Sequence, residues 1–117
     1  LGRGRALVEL RDYAAAMSDF QRAEDLAPED ASPVFEMGNL FFTRLEYSKS
    51  IPYFDRAIEM APTHAMAWCR RGICHHHRKN HTQAVADLQR AAALDAEIPG
   101  LRSHVNMAIK AMQKRRR

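Results

Sequence analysis

One sequence pattern occurs three times in this chain at a fixed interval. It is YAAAMSDFQRAEDLAP at residues 13–28, YSKSIPYFDRAIEMAP at 47–62 and HTQAVADLQRAAALDA at 81–96. Each copy has apolar residues at helical spacing, and the first two end at a proline. A period of roughly 34 residues is typical of repeat arrays, in which each unit buries its apolar face against its neighbours. The sequence therefore predicts stacked helical units.

Composition and length narrow the class of protein. The 117 residues are enough for one domain, and the net charge of +4 is concentrated in residues 114–117. No apolar run is long enough for a membrane span or for a signal peptide. Cys69 and Cys74 are five residues apart on a predicted helix, with Cα atoms about 8–9 Å apart, too far for a disulfide. We therefore expect reduced thiols in a cytoplasmic protein, with the nucleus as a second location, and a chain that is a fragment of a longer one.

The apolar pattern and the helix-ending signals predict seven helices. They lie at residues 1–10, 13–26, 33–44, 48–60, within 63–79, 83–94 and 101–113. Arg11 and Asp12 are predicted to form a turn between the first two. Pro52 is compatible with the fourth helix if Ser48 is its N-cap, because a proline in the first turn has no hydrogen bond to lose. The seventh helix has no partner downstream, so we expect it to cap the array.

These spacings resemble the motif of the tetratricopeptide repeat family. Its positions are occupied at 31–64 by Val34, Met37, Gly38, Phe41, Ser50, Phe54, Ala57 and Pro62, and at 65–98 by Trp68, Arg71, Gly72, His75, Ala84, Leu88, Ala91 and Ala96. A truncated first copy keeps Gly4, Leu7, Ala16, Phe20, Ala23 and Pro28. Arg71 stands where the family usually has leucine, so its guanidinium must reach solvent or find a partner.

The resemblance implies an all-α fold, an α-solenoid of antiparallel helical hairpins in a right-handed superhelix with a C-terminal capping helix. We expect a single domain over 1–117. Its parts are a truncated repeat at 1–30, repeats at 31–64 and 65–98, and a capping helix with a basic tail at 99–117.

The resemblance also implies a binding surface, since the family binds partners in the concave groove lined by the first helix of each repeat. By position, the groove residues are Phe35, Asn39, Phe42, Met66, Arg70, Ile73, His76, His77, His104 and Met107. Apolar side chains among cationic and amide donors suit a peptide that is acidic or ends in a free carboxylate. We expect a non-catalytic scaffold or adaptor that binds a peptide segment of a partner protein. The alternative is a structural segment of a longer solenoid in a large assembly.

Other kinds of site find less support. The carboxylate clamp of some co-chaperones resembles a set of Lys, Asn, Asn, Lys and Arg, of which only Asn39 and Arg70 match here, while Phe35, Gly100 and His104 occupy other positions of the set. The histidine run 75–77 has no Cys-x-x-Cys beside it, and His81 is predicted to lie in a turn, so no metal or other cofactor is expected. The basic residues 114–117 lack interleaved aromatics, so nucleic acid is not an expected partner. The chain has no nucleophile–base pattern and no phosphate loop, so it is not expected to be an enzyme.

Overall fold

The fold is a row of antiparallel helices. The computed structural model describes residues 2–116, with side chains for residues 12–114. Over residues 2–116 the helices are α1 Gly2–Leu26, α2 Ala31–Thr43, α3 Tyr47–Met60, α4 Ala65–His77, α5 His81–Leu94 and α6 Leu101–Arg116. Each helix packs against the next one along the chain, and α6 packs on α5 and α4. The predicted all-α repeat fold with a C-terminal capping helix is confirmed. Within the described residues, no helix has both the length and the apolar character needed to cross a membrane.

The predicted turn at Arg11 and Asp12 is wrong, because α1 runs through both residues without a break. In the next two hairpins the matching turn holds Leu45 and Lys79 at φ of 62° and 65°. This left-handed conformation costs a residue with a side chain about 1–2 kcal/mol, which the packing of the two flanking helices offsets. A helix that continues through Arg11 and Asp12 avoids this conformational cost.

Pro52 does not lie in the first turn of its helix. Since α3 begins at Tyr47, Ser48 is inside the helix, and the N-cap residue Glu46 makes no side-chain capping bond. Pro52 therefore removes the hydrogen bond that the Ser48 carbonyl would accept. Ser48 is exposed, so water can satisfy that carbonyl. His81 is likewise the first residue of α5 and not a turn residue.

The core is built from large residues of one helix facing glycines of its partner. A Cβ on Gly38 of α2 would lie 2.7 Å from Cε1 of Phe54 in α3, and a Cβ on Gly72 of α4 would lie 2.8 Å from Cγ of Leu88 in α5. Phe54 and Leu88 are completely buried. The glycines thus permit the close helix approach on which each hairpin depends.

Arg71 finds partners on both neighbouring helices. Its Nε and Nη2 donate to the two carboxylate oxygens of Asp87 in α5 at 2.8 and 2.9 Å. Its Nη1 donates to Asp55 of α3 at 2.9 Å, and its guanidinium lies 4.9 Å from the ring centroid of Trp68. The Asp87 side chain is 7% exposed. Arg71 therefore ties α3, α4 and α5 together with a bidentate ion pair that is largely shielded from solvent.

Candidate functional site

A cavity of about 330 Å³ lies where α2, α3, α4 and α6 meet. Its lining residues are Phe42, Tyr47, Met66, Cys69, Arg70, Ile73, His77, Ile98, Pro99 and His104. Six of these belong to the groove predicted from the sequence, namely Phe42, Met66, Arg70, Ile73, His77 and His104. The fold thus brings residues from three separate helices of the predicted set to one concave site.

Helix α4 supplies most of the predicted lining residues. Met66, Arg70, Ile73 and His77 follow one another at steps of four, three and four, so they form a single stripe along one face of the helix. Every turn of α4 therefore presents at least one side chain to the cavity. The wall opposite comes from other elements, including His104 of α6.

Arg70 is the cationic centre of the cavity. Its guanidinium lies 4.8 Å from the ring centroid of Phe42, a cation–π contact that restrains the long side chain. Its Nε is shielded from solvent and has no hydrogen-bond partner among the described residues. None of the ten lining residues is acidic. A carboxylate entering the cavity would therefore meet the positive charge of the Arg70 guanidinium and no negative charge from the lining side chains.

Histidines form the second polar part of the site. The His77 ring stacks on Tyr47 with centroids 4.5 Å apart and an interplanar angle of 2°, and His76 lies edge-on to both His77 and His81. Partial burial lowers the pKa of His77, with smaller contributions from His76 and His104. Partial burial also lowers the pKa of His104, with a contribution from His76. Both imidazoles are therefore neutral at pH 7, and protonation would add positive charge to the cavity.

Four residues of the predicted groove lie outside the cavity lining. Phe35 is buried, with its ring centroid 5.6 Å from that of Phe54 and 4.5 Å from that of His64, so it is part of the core. Asn39 is partly buried, and its Oδ1 has no hydrogen-bond partner among the described residues. His76 is partly buried beside the other histidines, and Met107 is 51% exposed on α6.

Four lining residues were not predicted. Cys69 lies three residues after Met66 and four before Ile73, so the helical period alone could have identified it. Tyr47 is the first residue of α3, and Ile98 and Pro99 belong to the connection between α5 and α6. No local pattern places these three beside α4. Tyr47 reaches the cavity because α3 packs on α4, where its ring stacks on that of His77. Ile98 and Pro99 reach it because α6 packs back on α4.

The thiols and the histidines do not form a second chemical site in the described part of the chain. Cys69 and Cys74 are both free and buried. Burial raises the pKa of Cys74 to about 12, so its reactive thiolate is scarce at neutral pH. Among the described residues, no three His, Cys, Asp or Glu side chains come together in an arrangement that could hold a metal ion.

Comparison with known sequences finds relatives in which only part of the length aligns with this chain. The human Protein SGT1 homolog is 26% identical over 92 residues, which cover 79% of this chain and 25% of that protein. The peroxisomal targeting signal receptor of Pichia angusta is 42% identical over 57 residues, covering 45% of this chain and 10% of the receptor. The chain thus spans about a quarter of the length of the first relative and a tenth of the second.

Comparison with solved structures finds the same fold. The first TPR of Spaghetti (RPAP3) bound to the HSP90 peptide SRMEEVD has a TM-score of 0.81 at 14% identity, over 96% of this chain and 89% of that one. The TPR2B domain of yeast Sti1 in complex with pHsp70 has a TM-score of 0.73 at 23% identity, over 95% and 91%. Family models described as Tetratricopeptide repeat match residues 1–30 and residues 35–99. Since the second match alone covers more than half of the sequence, this chain belongs to the tetratricopeptide repeat family, whose members are non-catalytic binding modules.

Proposed function

We propose that this chain binds a peptide segment of a partner protein in the cavity between α2, α3, α4 and α6. The segment presents an acidic group next to an apolar side chain. One observation carries the proposal, namely a concave, mostly apolar site in which the Arg70 guanidinium meets no acidic lining residue.

The apolar part of the lining would hold the apolar side chain. Met66, Ile73 and Ile98 surround a space of about 330 Å³, which is enough for one or two side chains of a peptide. Burying an aliphatic side chain is worth about 1.5–3 kcal/mol. That energy favours binding but does not select one partner from another, since many segments carry such a residue.

Arg70 would provide the selection. A charge-assisted hydrogen bond from a guanidinium to a carboxylate contributes about 1.5–3 kcal/mol. The stacking of Arg70 on Phe42 holds the guanidinium in place before the peptide arrives, which lowers the entropy lost on binding. A neutral peptide of the same shape would leave this donor unpaired, so it would bind less tightly.

Two structural relatives support a peptide ligand, because one holds the HSP90 peptide SRMEEVD and the other is a pHsp70 complex. The complete carboxylate clamp finds little support in this chain. Phe35, at one of the clamp's positions, is buried in the core, and Gly100, at another, has no side chain. We therefore propose recognition centred on one arginine, in a domain that works within a longer protein or a larger complex.

The test is selection of binders from a displayed random-peptide library, with SRMEEVD as a defined probe. Enriched peptides should place Asp or Glu beside an aliphatic residue, and the substitution Arg70→Gln should weaken their binding by about tenfold or more. Arg102→Gln, at an exposed arginine of α6, is the matched control and should leave affinity unchanged. Amidated copies of the same peptides distinguish a side-chain carboxylate from the C-terminal one.

A second variant probes the apolar wall. Met66→Glu puts a carboxylate into the partly buried stripe of α4 and should abolish binding while circular dichroism still reports a folded helical protein. If no peptide is enriched, or if enriched peptides bind both cavity variants as well as the parent chain, the groove proposal is wrong. The repeats then fit the alternative of a structural segment in a longer solenoid.

A further inference from the structure

The cavity has a second polar region beyond Arg70. His77 follows Arg70 by seven residues on α4, which is two helical turns and about 10 Å along the axis. His104 of α6 lines the same cavity and lies close enough for its charge to lower the pKa of His77. His77 is exposed and His104 is partly exposed, so a ligand in the cavity can reach both imidazoles. Ile73 lies between Arg70 and His77 on the α4 stripe, so an apolar surface separates the two polar regions.

The lining residues bring no negative charge to these two imidazoles, since none of the ten is acidic. From α3, Tyr47 stacks on His77, and burial raises the pKa of its phenol, which is therefore neutral at physiological pH. From α4, His76 lies edge-on to His77, and from α5, His81 lies edge-on to His76. A proton taken up by His77 or His104 therefore adds positive charge beside other imidazoles, with no lining carboxylate to balance it.

An anionic ligand would change the protonation of both rings. Without a ligand, burial lowers the pKa of His77 and of His104, with a smaller contribution from neighbouring imidazoles. A carboxylate beside the rings favours the imidazolium form and raises both pKa values, so binding takes up protons and tightens as pH falls from 8 to 5.5. Asp and Glu side chains, whose ordinary pKa is about 4, stay ionised over this range. The Arg70 guanidinium is charged throughout, so its own contact does not change.

We propose that His77 and His104 bind a second acidic side chain of the peptide whose first acidic group is bound by Arg70, and that this second contact strengthens on acidification. The second contact rests on the proposed function of the cavity. An extended peptide advances about 3.3 Å per residue, so the second acidic residue lies about three positions from the first. An apolar residue between them contacts Ile73. The partner segment is thus a short acidic stretch with an apolar residue between two acidic ones.

The test uses three synthetic peptides of equal length with blocked ends, whose central residues are Glu-Leu-Ala-Glu, Gln-Leu-Ala-Glu and Glu-Leu-Ala-Gln. The first peptide can reach both polar regions in either chain direction, because its two acidic residues are three positions apart. Fluorescence anisotropy with the full chain gives the dissociation constants at pH 8 and pH 5.5. On acidification, the affinity of the first peptide should rise about tenfold or more relative to the other two. Circular dichroism at each pH checks that the protein is folded.

Two variants assign the effect to the imidazoles. His77→Gln/His104→Gln should lose the gain on acidification. The control His75→Gln should keep it, since His75 does not line the cavity and its Nε2 lies 3.9 Å from Asp87. His77→Arg tests the same point by a gain, because a guanidinium can stack on Tyr47 as the imidazole does and is charged at pH 8. This variant should prefer the peptide with two acidic residues about tenfold already at pH 8.

The outcomes distinguish the second contact from the peptide site itself. If the peptides bind at pH 8 and Arg70→Gln weakens them, but acidification favours all three equally, the peptide site stands and the histidine contact is wrong. An equal gain in the parent chain and in His77→Gln/His104→Gln also overturns the histidine contact. If none of the three peptides binds at either pH, both the proposed peptide site and the histidine contact are wrong.

Discussion

Replacement of Arg71 by leucine, the residue that the family usually has at this position, should destabilise the domain severely. In the structure three nitrogens of the Arg71 guanidinium donate to Asp87 and Asp55. The leucine would leave the Asp87 carboxylate with 7% of its side chain exposed and without its bidentate partner. Removing one member of a buried ion pair costs about 3–5 kcal/mol. The Arg71 side chain is 20% exposed and Asp55 is 48% exposed, so we expect the lower end, about 3 kcal/mol.

The assay is urea unfolding followed by circular dichroism at pH 8. His75 is the side chain that could replace the lost cation, since its Nε2 lies 3.9 Å from the Asp87 carboxylate. Burial lowers the pKa of His75, so at pH 8 its imidazole is neutral and cannot do so. A loss of about 3 kcal/mol corresponds to a fall in Tm of about 12 °C, at about 4 °C per kcal/mol for a domain of this size. Arg102→Leu, at an exposed arginine of α6, should change the free energy of unfolding by no more than about 0.5 kcal/mol.

The double variant Arg71→Leu/Asp87→Ala separates the ion pair from the packing of Arg71. Removing both charges leaves no buried carboxylate, so most of the lost stability should return. If Arg71→Leu unfolds at the same urea concentration as the parent chain, the ion pair does not stabilise the stack. If the double variant is as unstable as the single one, the loss arises from packing and not from the stranded charge.

Two further predictions concern packing and pH. Gly38→Ala places a methyl group 2.7 Å from the fully buried Phe54 ring; overpacking of this kind costs about 1–3 kcal/mol, against a gain of about 1 kcal/mol in helix propensity, so we expect a net loss of stability. Urea unfolding measures the free energy of unfolding of this variant against that of the exposed control Glu36→Ala. A Gly38→Ala variant more stable than the parent chain would contradict the close approach of the two helices. Burial lowers the folded-state pKa of His77 and His104 below the ordinary value of 6.5, so the unfolded chain takes up protons first and stability should fall as pH drops through 6.5. Thermal unfolding between pH 8 and 5.5 should therefore show a declining Tm, less steep in the variant His77→Gln/His104→Gln, and a Tm that rises on acidification would refute the direction of these shifts.

Local pattern predicted most of the architecture and the α4 side of the candidate site. The spacing of Met66, Arg70, Ile73 and His77 is enough to assign them to one helix face, and all four line the cavity. The same reasoning assigned Phe35 to the groove, whereas its side chain is buried in the core. Position on the first helix of a repeat is not enough to tell a groove residue from a core residue. The orientation of Phe35 depends on its ring contacts with Phe54 and His64.

The sequence by itself determined that the chain is a row of paired helices, because the fixed repeat period places small residues opposite large ones whatever the rest of the molecule does. The tertiary structure decided three features that local pattern leaves open. Helix α6 folds over the array and closes the cavity with His104, Arg71 finds its carboxylates on two other helices, and α1 runs straight through a predicted turn. In each of these cases the local conformational preference of a segment competes with its packing against residues distant in the sequence. Periodicity and propensity describe only the local side of that competition, and packing settles it.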